Sequence, residues 1–179
     1  NKFRFGMIND LTRLLSKVYG KILKQIPKYG ILGGAWGGND TAWRMTLDIV
    51  RVLKYGNKMG SLSDTPQRKH IAFIDGIIGG QGEGPLKTKP KHSNLIIFGD
   101  DICSVDTIAC YGMGIDPTQI SLVCNSFEKN IKYPLTDISM ENIKIIFNGK
   151  SISYNDLLEY ALPSYLLPKG WSKKILLKQ

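Results

Sequence analysis

Two β-rich runs on either side of a glycine-rich stretch constrain the fold more than any other feature of this sequence. The runs are HIAFIDG and NLIIFGD, and each ends in an acid beside a glycine. Their β-branched and aromatic residues predict two buried strands of one sheet. Helical and strand-like segments alternate along the chain without repeats. The alternation predicts an α/β fold, one domain over residues 1–179 with a mixed or mostly parallel sheet flanked by helices.

Two segments ahead of these runs carry apolar residues at helical spacing. We predict the first helix over residues 7–24. The second is predicted to start at an N-cap formed by Asn39 or Asp40 and to end near Tyr55. The predicted buried face of this second helix consists of Trp43, Leu47, Val50 and Leu53.

Three further elements are predicted after the second β-rich run. DICSVDTIACYGMG has helical spacing and is closed by Gly112 or Gly114. NIKIIFNGKSI predicts a strand and a turn. YNDLLEYAL predicts a last helix that stops at Pro163.

Length and composition describe an ordinary globular chain. It has 179 residues, 42% of them hydrophobic and 22% charged, so neither disorder nor a membrane protein is indicated. No apolar run approaches the ~20 residues needed to span a bilayer, so we expect no transmembrane segment. The chain begins without methionine and in the middle of a helical pattern. We therefore expect it to be the C-terminal part of a longer protein.

The cysteines limit both the compartment and the cofactors. Cys103, Cys110 and Cys124 are an odd number, and no two form a C-x-x-C pair. This argues against a disulfide framework, a zinc ribbon or an iron–sulfur cluster built from this chain alone. A reducing, cytoplasmic location fits best. Cys103 and Cys110 lie on the predicted third helix, where we expect them to be buried as small hydrophobic residues.

Acidic residues follow both predicted strands. Asp75 ends the first, Asp100 and Asp101 end the second, Glu83 lies in the glycine-rich stretch, and Asp106 follows within the next helix. Because ligands gather at the carboxyl ends of strands in open α/β sheets, we expect these acids to share one rim. An oxygen-only set suits Mg²⁺, Mn²⁺ or Ca²⁺. Candidate metal ligands are Asp75, Glu83, Asp101 and Asp106, and the alternative is acid/base catalysis by Asp75, Asp101 and Asp106.

The glycine-rich stretch GIIGGQGEG is predicted to form a loop that binds an anion. Glycines permit positive φ angles, and exposed amides in such a turn form an anion-binding nest. Lysines follow at once, starting with Lys87. The alternative is a tight turn with a solvated lysine face, and spacing does not decide between them. The residues proposed to contact substrate here are Gly80, Gly82, Gly84 and Lys87.

A second polar group lies at the start of the predicted second helix. Asn39 and Asp40 fit the ordinary role of helix capping. The functional alternative places Asn39, Arg44 and the helix N-terminus against the same anionic substrate. His70 and His92 have no partner pattern, so no histidine-centred metal site is expected.

The motif order resembles a family of uncharacterised proteins, domain of unknown function 362. The resemblance rests on FIDGIIGGQGEGP, then LIIFGDDICSVDTIACYGMGIDP, and on GGNDTAWRMTLDIVRVL upstream. The polar signature of that family falls on Asp75, Glu83, Asp101 and Asp106, with Asn39 and Asp40 upstream. Some relatives carry a ferredoxin-like cluster domain, which implies redox partners. This chain departs from those relatives because it has no cysteine cluster.

Three functions are compatible with the sequence. The favoured one is an enzyme acting on a small anionic substrate at the acidic site, with Mg²⁺ or Mn²⁺. The second is a non-catalytic binding or assembly module whose partner is its own missing N-terminal region or a second copy. Its motivation is a tail, residues 160–179, with four lysines and no acid. The third is a redox-associated protein that partners an iron–sulfur domain. No sequence motif indicates a nucleic-acid partner.

Overall fold

The computed structural model describes residues 38–84, 87–159 and 164–177. The chain divides into two compact units, Asn1–Asn39 and Asp40–Gln179, and the fold described below is that of the second. The predicted helix over residues 7–24 and the predicted stop at Pro163 lie outside the described residues. The prediction of one domain over residues 1–179 therefore stays a prediction.

Helices and strands are both present in the second unit, as predicted. The longer elements are α1 (Ala42–Tyr55), β1 (Ala72–Glu83), β2 (Lys87–Gly99) and α2 (Ile102–Gly112). The shorter ones are α3 (Ser121–Ser126), β3 (Ile145–Phe147), β4 (Lys150–Ile152) and α4 (Tyr154–Glu159). None of the described helices is long and apolar enough to cross a membrane. The third predicted helix is confirmed as α2.

β1 and β2 form one long antiparallel hairpin. Its register runs from Ala72 opposite Gly99 to Glu83 opposite Lys87, with a bulge between Gly76 and Ile78. The prediction that both runs belong to one sheet is confirmed. The predicted strand end at Asp75 is wrong, because β1 continues through the glycine-rich stretch.

Pairing in the described part of the chain is antiparallel. β1 pairs with β2, and β3 pairs with β4 across a turn at Asn148 and Gly149. Both turn residues have positive φ, 48° and 78°, as a tight two-residue hairpin requires. The predicted mixed or mostly parallel sheet is therefore not observed among these residues, where each sheet has two strands.

The two faces of the β1–β2 hairpin have different surroundings. One face packs on α2 so closely that a Cβ on Gly99 would lie 2.6 Å from Val105 Cγ2. A Cβ on Gly112 would likewise lie 2.5 Å from Leu95 Cδ2. The opposite face carries Phe73 and Phe98, which are paired in register and both exposed. The hairpin is thus covered on one side only by the described part of its own unit.

Two apolar clusters form the core of this unit. The first contains the buried residues Tyr111, Ile143, Ile145 and Leu157. The second contains Leu47, Cys103 and Leu135, with Trp43 and Val50 packed against it. These contacts confirm three of the four residues predicted for the buried face of α1. Leu53 is the exception at 52% exposed, because the buried face turns instead toward Tyr55, whose hydroxyl donates to Pro134 O at 2.5 Å.

The basic tail packs against its own chain near the end of α2. Asp116 N donates to Ile175 O at 2.7 Å, and Leu177 N donates to Gly114 O at 3.0 Å. Lys169 N donates to Glu83 Oε1 at 2.6 Å. Several described residues of the tail therefore have intramolecular partners for their backbone.

Candidate functional site

Asp101 is the N-cap of α2, between the end of β2 and the first helical turn. Its Oδ2 accepts from Ser104 N at 2.9 Å and from Ser104 Oγ at 2.5 Å. Asp-x-x-Ser caps of this kind satisfy an amide that the helix leaves without a partner. One carboxylate oxygen therefore fixes the helix start, and no described residue donates a hydrogen bond to Oδ1.

A cleft of about 430 Å³ opens beside this helix start. Its walls are residues 95–99 of β2 on one side and residues 142–147 on the other, and α2 contributes a third side. The volume lies within the range of small-molecule sites, ~300–1,000 Å³. Most of the lining is apolar. The polar and charged residues that line it are Asp100, Asp101, Ser104, Asn142 and Lys144.

The structure does not bring the four predicted metal ligands together. Asp75 lies within β1, near its start and opposite Ile96, and its Oδ1 accepts from Ile77 N at 3.2 Å. Glu83 is the last residue of β1, whereas Asp101 follows the other end of the hairpin. At ~3.3 Å per residue the two ends of β1 are roughly 30 Å or more apart. No group of three or more His, Cys, Asp or Glu side chains placed to hold a metal ion occurs among the described residues.

Asp106 lies on α2 but away from the cleft. The helix turns 100° per residue, so Asp106 is on the side opposite Ser104, Ile108 and Tyr111, which line the cleft. Its side chain is more than one-third exposed. Desolvation by the neighbouring protein still raises the pKa of its carboxyl above the ordinary value of 3.8.

The glycine-rich stretch is part of an extended strand, so the predicted loop is wrong. Gly82 N donates to Leu166 O at 2.8 Å, and Gly84 N donates to Gly82 O at 2.9 Å. These two amides are therefore already committed to carbonyl groups. A Cβ on Gly80 would lie 3.1 Å from Thr88 Cγ2. Lys87 begins β2 opposite Glu83, far from the cleft.

The segment 164–169 approaches β1 closely, and this explains why the strand needs glycine at position 79. A Cβ on Gly79 would lie 2.3 Å from Tyr165 Oη. That hydroxyl is hydrogen-bonded to Ser93 Oγ at 2.6 Å, and Lys91 Nζ lies 4.9 Å from the Tyr165 ring centroid. Leu166 N donates to Gln81 Oε1 at 3.0 Å. The absence of side chains on β1 thus makes room for the returning chain.

The residues at the start of α1 make local contacts. The N-cap is Thr41, without a side-chain cap bond, so the predicted N-cap at Asn39 or Asp40 is wrong. Asp40 instead accepts from Arg44 Nη2 at 3.0 Å and from Trp43 Nε1 at 3.0 Å. The Arg44 hydrogen bond holds the pKa of the Asp40 carboxyl below its usual value. Asn39 is half-buried, and Arg44 does not line the cleft.

The three cysteines are not grouped, and two of them are buried. Cys103 and Cys110 are buried on α2 and Cys124 is exposed. Desolvation raises the pKa of the Cys103 thiol to about 11 and that of the Cys110 thiol to about 12. Both are protonated at neutral pH. Burial of Cys103 and Cys110 was predicted and is confirmed.

The sequence prediction did not include the polar residues on the far side of the cleft. Asn142 and Lys144 belong to a segment that was assigned only a strand and a turn. Ser104 had a usable signal, because Asp101 and Ser104 have the spacing of a helix cap after a strand. Asp100 follows the predicted second strand, but the sequence predicts no role for it.

Comparison with known proteins assigns the family only. The family model described as Domain of unknown function (DUF362) matches residues 5–111, which is well over half of the chain. The resemblance inferred from the sequence is thereby confirmed. The matched region includes α1, the β1–β2 hairpin and α2 up to Tyr111. No match was found among curated proteins or among solved structures.

Proposed function

The chain belongs to the DUF362 family, and we propose that its cleft binds a small anionic molecule together with a divalent cation, Mg²⁺ or Mn²⁺. The observation that carries the proposal is the pair of consecutive acidic residues, Asp100 and Asp101, that line a mostly apolar cleft. The family itself carries no assigned activity. The proposed site is smaller than the one expected from the sequence, since Asp75, Glu83 and Asp106 lie outside the cleft.

Two protein carboxylates are sufficient for the proposed cation. Mg²⁺ keeps several waters and is commonly held by one or two carboxylates plus phosphate oxygens of the ligand. Asp101 retains Oδ1 for this purpose, because its cap bonds from Ser104 both use Oδ2. Asp100 is the adjacent residue and also lines the cleft. The bound anion would complete the coordination shell.

The proposed anion has contacts on both walls. Lys144 is the basic side chain among the described lining residues of the cleft, and it lies on the wall opposite β2. In the described part of the chain β2 pairs only with β1, so its other edge offers the backbone amides of alternate residues within 95–99. The cation would offset the repulsion between the anion and the two aspartates. Asp100 or Asp101 would carry out any proton transfer in the cleft.

Calorimetric titration of Mg²⁺ and Mn²⁺ tests the proposal, with inorganic pyrophosphate as the anionic probe. We expect binding when both are present, and a loss of at least ~10-fold in Asp100→Asn, since the cation loses one of two charged ligands. Asp101→Asn should weaken binding in the same way while keeping the cap, because Asn is an equally good N-cap residue.

Glu83→Gln is the matched control. Its carboxylate lies at the far end of the hairpin, and the amide oxygen of glutamine can still accept from Lys169 N. It should bind the cation and pyrophosphate as the wild type does. No binding by the wild type, or equal losses in Glu83→Gln and Asp100→Asn, would contradict the proposed site.

A binding or assembly module is the second candidate function. It is favoured by the exposed apolar side chains on one face of the β1–β2 hairpin. It does not compete for the cleft, since those side chains project from the face opposite α2. A redox role alongside an iron–sulfur domain has no observation that favours it.

A further inference from the structure

One face of the β1–β2 hairpin is apolar and is left open by the described residues. We call it the outer face and define it by Ile71, Phe73, Ile96 and Phe98, with Asp75 among them. Phe73 is 63% exposed and Phe98 is 68% exposed, and the two are direct cross-strand partners. Ile71 and Ile96 are also more than half exposed. Alternation along both strands places these side chains opposite the face that packs on α2.

The area of the outer face exceeds that of scattered surface residues. Each of its four apolar side chains exposes on the order of 100 Å², which gives a patch of roughly 400 Å². Contiguous apolar patches of this size mark interaction sites in soluble proteins. An antiparallel sheet tolerates one open face when that face is polar, but here it carries two phenylalanines.

We propose that the outer face is the interface of a symmetric dimer of this chain. A twofold interface uses the same patch on both copies, so two outer faces bury roughly 800 Å² of apolar side chain. With the surrounding polar atoms, the total reaches the lower end of the size range of specific interfaces, ~1,200 Å². Two sheets packed face to face at ~10 Å would interdigitate Phe73 and Phe98 of one copy with those of the other.

Asp75 provides an internal check on this interface. Its carboxylate stands beside Phe73 on the outer face and opposite Ile96 in register. Dimerisation would remove part of its hydration without supplying a described basic partner, which is unfavourable. Neutralising Asp75 should therefore strengthen the dimer. A site that used Asp75 as a metal ligand predicts no such gain.

Sedimentation velocity of the 179-residue chain over a range of concentrations tests the dimer. We expect reversible dimerisation, weakened by more than ~100-fold in Phe73→Ser because the change occurs twice in a symmetric interface. Asp75→Asn should tighten the dimer several-fold. Met59→Ser is the control, because Met59 is 89% exposed but lies in the loop before β1, and it should dimerise as the wild type does.

Circular dichroism of each variant establishes that it is folded, and Phe98→Ser replaces Phe73→Ser if the latter is not. A wild type that stays monomeric at all concentrations would overturn the proposal. A dimer that is unchanged by both phenylalanine substitutions would overturn it too. A monomer that instead co-sediments with lipid vesicles would assign the outer face to a membrane and not to a second copy.

Discussion

Replacing Gly79 with alanine tests why this chain has so many glycines in β1. The new Cβ would lie 2.3 Å from Tyr165 Oη and 3.1 Å from Tyr165 Cζ. Because real Cβ atoms do not approach that closely, the tyrosine has to move. Its displacement would break the 2.6 Å hydrogen bond to Ser93, which is only 7% exposed.

The steric clash and the broken hydrogen bond together set the expected decrease in the free energy of unfolding. Overpacking costs about 1–3 kcal/mol, and a buried hydroxyl left without a partner costs about 1–3 kcal/mol. We therefore expect Gly79→Ala to lower the free energy of unfolding by about 3 kcal/mol. For a chain of this size the midpoint of thermal unfolding would fall by roughly 6–12 °C.

Denaturant unfolding of a double-mutant cycle with Tyr165→Phe is the assay. Tyr165→Phe alone should cost about 1 kcal/mol for the lost hydrogen bond to Ser93. In the double variant the clashing hydroxyl is gone, so the total loss should be about 2 kcal/mol, well below additivity. Gly80→Ala is the control in the same strand. It should cost less than about 1 kcal/mol, because its nearest neighbour is the exposed side chain of Thr88.

Additive losses in the cycle would refute this explanation, since they would show that the alanine does not meet the tyrosine hydroxyl. A Gly79→Ala variant with unchanged stability but weaker pyrophosphate binding would return the glycine stretch to the anion-binding role expected from the sequence.

Two further predictions concern titratable side chains on α2. Burial raises the native pKa of Asp106, so the native state binds its proton more tightly than the unfolded state, and stability falls as pH rises from near 3.8 through the raised native pKa. Asp106→Asn should therefore be more stable than wild type at pH 7, with the difference disappearing at pH 3. Equal stability of the two proteins at pH 7 in denaturant unfolding would contradict this. Ellman's reagent should modify one thiol per native chain, Cys124, and three after denaturation, because Cys103 and Cys110 are buried and protonated. Rapid modification of more than one native thiol would be inconsistent with the fold.

Much of the local structure could be predicted from periodicity. The spacing of Ile102, Val105 and Ile108 gave α2 correctly, and three of four residues on the buried face of α1 were right. The errors come from the glycines. Because glycine is depleted in strands, the sequence predicts a loop after Asp75 and a strand end at Asp75. The contacts that keep this stretch extended come from Tyr165 and Leu166, more than eighty residues away.

We expected the acidic side chains to share one rim because we predicted a strand end at Asp75. Parallel strands bring their carboxyl ends to one rim, whereas the antiparallel hairpin sends Glu83 and Asp101 to opposite ends. Local sequence does not encode the pairing direction. It does encode the step from β2 into α2, and there the predicted acid Asp101 lies at the rim of a cleft.

Nuclear magnetic resonance of the ¹⁵N-labelled chain with Mn²⁺ and pyrophosphate tests the central claim most directly, since a bound paramagnetic ion broadens the amides nearest to it. We predict that substoichiometric Mn²⁺ first broadens the amides of residues 100–104 and 142–145, and leaves those of residues 79–83 sharp. Broadening centred on Glu83 or Asp75, or no selective broadening at all, would contradict a cation site in the cleft.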